Sequence, residues 1–187
     1  LHTDNGNPSI IAENLEPSEE ITKTLVETLS DGAVLSFGLE SADPSVHEAN
    51  WLNCDPAQLK TAIRLVNKHG SVRGERGLPK LLPGLNFIAG LNGESEATYG
   101  MNMDLLRGIR SEGLLLRRIN IRQVEGEGFQ EVPSEAFARV KTDCRDEIDK
   151  PLLEDLVPLG QVSHDVHWDS HDGRTRLPVH ETELHRA

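Results

Sequence analysis

The chain predicts an α/β fold in which parallel strands are covered by helices. Three observations carry this. Short apolar runs alternate with segments of helical periodicity, each run ends in turn-forming residues, and the central run passes at once into a helical pattern. That central stretch is Leu82-Pro83-Gly84-Leu85-Asn86-Phe87-Ile88-Ala89-Gly90-Leu91-Asn92-Gly93-Glu94-Ser95, with its strand over residues 85–91. Parallel α/β folds bind ligands at the carboxyl ends of their strands, which directs attention to Gly90, Gly93 and Glu94.

The first eight residues read as a strand end followed by the turn Asp4-Asn5-Gly6-Asn7-Pro8, which faces a site or is only a turn. Pro17 opens a helix with Ile21, Leu25 and Leu29 inward, closed by Asp31-Gly32. Residues 33–39 form a strand ending in Glu40-Ser41-Ala42-Asp43-Pro44. The next helix has the clearest local signals: Asp55 as cap, Pro56 at the first position, Gln58 completing a capping box, Leu59, Ala62, Ile63 and Val66 on one face, and Gly70 as the stop. Residues 70–83 read as a loop on the side away from the strand ends.

After the central strand, Ser95 caps a helix carrying Met101, Leu105, Leu106 and Ile109, with Gly113 past its end; the methionines read as core filling. The next strand, residues 117–124, alternates polar and apolar residues, so Arg118, Asn120 and Arg122 point the same way, into a barrel or into solvent. Ser134 caps a helix with Phe137, Val140, Cys144 and Ile148 inward, ended by Asp149-Lys150-Pro151. Beyond Pro158, alternation up to Trp168 and a turn at Asp172-Gly173 predict a hairpin opening a small β module. The expected units are therefore residues 1–132, a helical connection over 133–157, and residues 158–187 as the module and an atypical tail. Three or four strands are too few to close an eight-stranded barrel, and the chain opens on Leu1 as if in mid-fold, so coding sequence is expected upstream.

The 187 residues, 36% hydrophobic and 4% aromatic, suffice for one core or a core with a small appendage. No apolar run nears the roughly 20 residues that cross a bilayer and no secretory signal opens the chain, so the expected location is the cytoplasm, without a membrane partner. Cys54 and Cys144 encode neither a disulfide framework nor a metal knuckle. A net charge of -12, from 31 acidic and 19 basic residues, disfavours nonspecific nucleic-acid binding. With 13 arginines against 6 lysines, the composition fits a protein kept soluble in high salt, or an ordinary acidic one.

His164, His167, His171, His180 and His185 invite a metal reading, but strand positions three apart face opposite ways and no cysteine or well-spaced carboxylate joins them, so no metal site is predicted. The 90–94 loop lacks the Lys-Ser/Thr of a P-loop and the glycine spacing of a dinucleotide fingerprint, and no Gly-x-Ser-x-Gly elbow occurs. What remains is Glu40-Ser41, Asn86, residues 90–94, Asn120 and Arg122. A carboxylate beside a hydroxyl suits ribose hydroxyls and an arginine suits a carboxylate, so together they suit an amino-acid-bearing nucleoside. Caps and turns would place the same residue types there without a ligand.

Residues 37–44 (Phe-Gly-Leu-Glu-Ser-Ala-Asp-Pro), residues 81–95 and residues 113–124 (Gly-Leu-Leu-Leu-Arg-Arg-Ile-Asn-Ile-Arg-Gln-Val) closely resemble the later strands of radical S-adenosylmethionine (radical SAM) proteins, in the uncharacterised archaeal branch with a C-terminal helix-hairpin-helix. The resemblance spans roughly residues 1–173. It implies a partial (β/α) barrel with helices outside, and a 4Fe-4S cluster, held by a Cys-x-x-x-Cys-x-x-Cys loop, that cleaves S-adenosylmethionine to a 5′-deoxyadenosyl radical. It implies that Glu40 and Ser41 lie near the ribose and methionine parts of that cofactor, that Asn86, Ile88 and Gly90 lie along the adenine, and that Asn120 and Arg122 complete the pocket. The family's fifth-strand Gly-x-Ile-x-Gly-x-x-Glu pattern is matched loosely at Ile88 and Glu94. The cluster loop is expected upstream of Leu1, and Cys54 and Cys144 do not replace it. The chain thus resembles a fragment of an iron-sulfur oxidoreductase, inactive alone, whose catalytic residues are unassigned and whose substrate, an RNA or a protein among others, is open. The alternative is a noncatalytic, RNA-associated binding module, against which the acidic surface argues.

Overall fold

The computed structural model describes residue 3 and residues 5–124, 126–129 and 131–157. The β module expected over 158–187, its five histidines, and Asp4 of the first turn lie outside the described residues.

Four parallel strands stand side by side in chain order: β1 (Asn5–Gly6), β2 (Ala33–Glu40), β3 (Leu81–Ala89) and β4 (Arg118–Gln123). The crossovers carry α1 (Pro8–Glu13) and α2 (Leu15–Thr28), then α3 (Pro44–Asn50) and α4 (Pro56–Gly70), then α5 (Glu96–Ser111). After β4 come α6 (Ser134–Asp143), a π-helical turn (Cys144–Asp149) and α7 (Lys150–Leu156).

Strand alternation sends Leu35, Phe37 and Leu39, then Leu81, Leu85, Phe87 and Ala89, then Ile119 and Ile121 to one face. There they meet Leu59, Ile63 and Val66 of α4 and Met103, Leu106 and Ile109 of α5 in one continuous core. Phe37, Leu59, Ile63, Leu81 and Leu85 retain no accessible surface. Burial on that scale is worth about 1.5–3 kcal/mol per side chain, so the contact of α4 with β2 and β3 contributes substantially to stability. Because each strand adds beside its predecessor by a crossover of one hand, these helices gather on that one face. The sheet is open, with β1 and β4 at its edges.

Helix α4 follows its local signals. The Asp55 carboxylate accepts from the Ala57 and Gln58 amides, both at 2.8 Å, and Gln58 accepts from the Asp55 amide at 3.1 Å. At the other end a Cβ on Gly70 would overlap the Leu81 carbonyl oxygen, so glycine there lets the helix end pack directly on the start of β3.

Several expectations need correction. The helix expected from Pro17 starts earlier, at Leu15, and a separate unexpected helix, α1, precedes it, capped by Asn7, whose Oδ1 accepts from the Ser9 amide at 3.0 Å. Ile21 is 60% exposed, and Ser18 and Thr22 are the buried residues of α2. Thr22 donates its hydroxyl to the Ser18 carbonyl at 2.7 Å, so a polar pair can be buried without an unmet group. β3 begins at Leu81 rather than Leu85 and ends at Ala89 rather than Leu91. Met103 is buried but Met101 is 41% exposed. Cys54 lies in the loop before α4 rather than in a helix, and it and Cys144 are free, buried thiols. Ser134 is the first residue of α6 rather than its cap. The helix also does not stop at Pro151: that residue falls in the first turn of α7, where a missing N–H costs little, and the π turn just before it widens the spiral. Val140, Cys144, Ile148 and Leu152 join the same core as the sheet, so the helical connection is part of one packed body.

Among the described residues no helix is long and apolar enough to cross a membrane.

Candidate functional site

The face of the sheet turned away from the helices is built from the even-numbered strand residues. Pairing between strands sets them in rows. Ser36, Gly84 and Arg118 form one row, and Gly38, Asn86 and Asn120 the next. Ile88 and Arg122 close the series toward the carboxyl ends. Neighbouring strands lie about 4.8 Å apart, so each row spans roughly 10 Å.

In the middle row Asn120 donates from Nδ2 to Asn86 Oδ1 at 2.8 Å. That bond leaves the Asn86 amide nitrogen and the Asn120 carbonyl oxygen to address a ligand with one donor and one acceptor. Glu40 completes the row from above Gly38. A Cβ built on Gly38 would stand 2.5 Å from Glu40 Oε1 and 3.0 Å from Oε2, so the carboxylate occupies the space that a side chain at 38 would fill.

Glu40 gets there through an uncommon backbone. Its φ is +65°, the pairing with β3 slips between Gly38 and Glu40, and the Ser41 amide donates back to the Leu39 carbonyl at 2.8 Å. A non-glycine residue in such a tight three-residue turn costs about 1–3 kcal/mol, a cost met where a side chain must be aimed. Half-buried, with no hydrogen bond or ion pair from the described residues, the Glu40 carboxyl is pushed above the usual carboxylate range by desolvation. Cys54, underneath, has its thiol raised to about 12 by burial and then by the charges of Asp55 and Glu40, which leaves it an inert thiol.

The loops behind this rim are tied together. Asp43 accepts from the Ser45 amide at 2.9 Å and from the Thr98 hydroxyl at 2.6 Å, and Asn102 Oδ1 accepts from the Ala42 amide at 2.7 Å. Burial works against the Asp43 charge, but the hydrogen bonds from Thr98, Ser45 and Val46 outweigh it and hold the carboxyl low. Asn50 binds the Asn92 carbonyl at 2.7 Å and the Asn92 amide at 3.2 Å, clamping the loop after β3 to α3.

Of the residues singled out by sequence, Glu40, Asn86, Ile88, Asn120 and Arg122 share this one face. Asn86 stands one row inside the strand end rather than at the tip. Ser41 and Gly90 go elsewhere. Ser41 has no exposed surface; its hydroxyl accepts from the Asp43 amide at 3.1 Å and its carbonyl meets His47 Nε2 at 2.5 Å. The Gly90 amide donates to the Glu94 carboxylate at 2.9 Å, and Tyr99 donates to the same oxygen at 3.2 Å, so these residues fold the loop inward. Asp43, Thr98, Asn102 and Asn50 were not singled out; only Asp43-Pro44 carried a readable signal, that of a helix start.

Among the described residues no group of three or more His, Cys, Asp and Glu side chains could hold a metal ion. The two buried cysteines do not fit an iron-sulfur cluster, which needs three thiolates around one point.

Two archaeal proteins are similar to the chain. An uncharacterised protein of Methanocaldococcus jannaschii is 39% identical over 176 residues, covering 89% of this chain and 32% of that protein. One of Archaeoglobus fulgidus is 40% identical over 176 residues, covering 89% and 33%. The chain therefore spans about a third of the length of the curated relatives it matches. No family model matches the chain.

Proposed function

We propose that the carboxyl half of the helix-free face forms one wall of a pocket for S-adenosylmethionine, and that the chain is part of a radical SAM enzyme. The observation that carries this reading is the middle row: Glu40, Asn86 and Asn120, drawn from three strands, meet on one side of the sheet. Consecutive parallel strands with helices on one face are also what a partial (β/α) barrel requires, and this face would be its interior.

The residues fit a nucleoside. The Glu40 carboxylate accepts hydrogen bonds from the two ribose hydroxyls, which fits a half-buried carboxylate with no donor among the described residues. The Asn86–Asn120 pair offers one donor and one acceptor to the edge of the adenine, with Ile88 as an apolar flank. Arg122, exposed and without an ion pair from the described residues, receives the methionine carboxylate. If a reduced iron-sulfur cluster were held beside it elsewhere, S-adenosylmethionine would supply the radical chemistry of that family. The described residues do not fit that cluster, so the role assigned to this chain is to hold and orient the nucleoside.

The test is equilibrium binding of S-adenosylmethionine to the full chain by calorimetry. Hydrogen bonds to a charged group are worth about 1.5–3 kcal/mol, so Glu40→Ala should weaken binding about 10- to 100-fold. Because the ionised carboxylate is the acceptor and its pKa is raised, affinity should also fall as pH drops from 7 to 5. No binding by the native chain, or equal binding by native and variant, overturns the reading.

A further inference from the structure

We infer that the same face carries a second subsite, one row deeper than the nucleoside row, at which Arg118 receives the oxyanion of a small-molecule substrate. This rests on the reading of that face as the interior of a reaction chamber, and gives the substrate its chemical class: a carboxylate or a phosphate monoester.

Arg118, exposed on the edge strand β4, bends back across the sheet. Its Nη2 donates to Ser36 Oγ at 2.9 Å, two strands away on β2, so the side chain crosses over β3. It crosses at Gly84. A Cβ there would stand 2.8 Å from Val34 Cγ1, closer than side-chain contacts allow, and 3.1 Å from Arg118 Cγ and 3.3 Å from its Nε, so the arginine would have to give way. Three strands therefore each give something to one guanidinium: β4 the arginine, β3 a missing side chain and β2 a buried hydroxyl acceptor.

Ordering so long a side chain costs more rotamer freedom than one hydrogen bond to a neutral hydroxyl returns, so the fixed geometry serves the donors that remain. The other well-held arginines satisfy themselves differently. Arg107 pairs with Glu147 at 2.8 Å, Arg64 with Glu112 at 2.6 Å, and Arg73 caps the carbonyls of Asp155 and Leu156. Arg118 makes no ion pair with a described residue, in a chain with 31 acidic against 19 basic residues. Asp149 of the π-helical turn lines a cleft with it but makes no hydrogen bond or ion pair with it. A guanidinium oriented by one hydrogen bond, its other N–H groups without a partner among the described residues, is matched by a planar or tetrahedral oxyanion. The charge surplus of the whole surface repels a polyanion but not one compact group entering between the strands.

The experiment follows the arginine Nε–Hε resonances of the full chain by 1H–15N NMR during separate titrations with inorganic phosphate, acetate and a single-stranded oligouridylate. The expected result is a saturable shift of the Arg118 resonance with phosphate or acetate, the tighter of the two naming the group. Arg118→Gln should abolish it and Arg118→Lys should weaken it about 10-fold. Ser36→Ala, which keeps the charge and frees the side chain, should weaken it about 3-fold and serves if the arginine variants do not fold. Binding of S-adenosylmethionine should change less than about 2-fold in Arg118→Gln, so the two subsites fail or stand separately. A linear, unsaturable response, an undiminished response in both Arg118→Gln and Ser36→Ala, or Arg118-dependent binding of the oligonucleotide tighter than either small anion overturns the inference.

Discussion

Glu40 and Asp43, three residues apart, are carboxylates pushed in opposite directions by their surroundings. Burial alone would raise the pKa of Asp43, but its cap on α3 and the Thr98 hydroxyl outweigh that and hold it down. Replacing it with alanine removes the cap and strands a buried hydroxyl, a loss of about 2 kcal/mol; for a chain of this size the thermal midpoint should fall by about 4–8 °C, readable by circular dichroism. A depressed folded-state pKa contributes stability above the unfolded value, lost as pH falls through the folded one, so native and Asp43→Ala midpoints should converge on acidification. Glu40 has the opposite sign. Its raised pKa means that stability is lost as pH rises through the folded value, so Glu40→Gln should raise the midpoint at pH 7 by about 1–3 °C while the gap closes near pH 4. A residue that destabilises its own fold is a residue kept for something else. The identity of Glu40 and its place after a strand were legible in the sequence; the left-handed φ that aims it over Gly38 was not, because that depends on the slip in pairing with β3.

At the scale of elements, local signals succeeded where they were short-range and failed where a neighbour chose the face. Helix α4 carries its cap, its stripe and its stop within its own residues, and all are used. Helix α2 shows apolar spacing through Ile21, yet it packs on α4 and the residues it buries are Ser18 and Thr22, the Thr22 hydroxyl being met by the Ser18 carbonyl. Helix α3 was not expected, Asp43-Pro44 being read as a strand end; its seven residues lack an apolar stripe, with Val46 its one core side chain. The joint between α4 and β3 gives the sharpest prediction here. Gly70→Ala would drive a methyl into the Leu81 carbonyl, with no flexible side chain to yield, and should cost about 3 kcal/mol or more, seen as a lower denaturant midpoint with an unchanged slope.

Across the whole molecule the two faces of one sheet do different work. One face is dry, packed by helices and responsible for stability, while the other presents Glu40, Asn86, Asn120, Arg118 and Arg122 in rows. The strained turn and two arginines without an ion pair among the described residues, Arg118 and Arg122, sit on the second face, so the fold bears the cost of the site with its opposite surface. The net charge of -12 acts on the molecule as a whole. Self-repulsion of that size is screened over about 3 Å at 1 M salt, against about 10 Å at 0.1 M, so the thermal midpoint should rise by about 5 °C or more between 0.1 and 2 M KCl. A flat or falling midpoint would remove the high-salt reading of the composition.

By itself the sequence determined the alternation of strands and helices, the parallel class, and the polar residues that recur near strand ends, because periodicity and capping are written within a few residues of one another. Only the tertiary structure decided that Asn86 bonds Asn120, that Glu40 stands over Gly38, that Arg118 reaches Ser36 across Gly84, and that Ser41 and Gly90 turn inward. Those outcomes depend on register between strands 34 to 82 residues apart, and a side chain's face is fixed by which neighbour it pairs with, information that no local window contains.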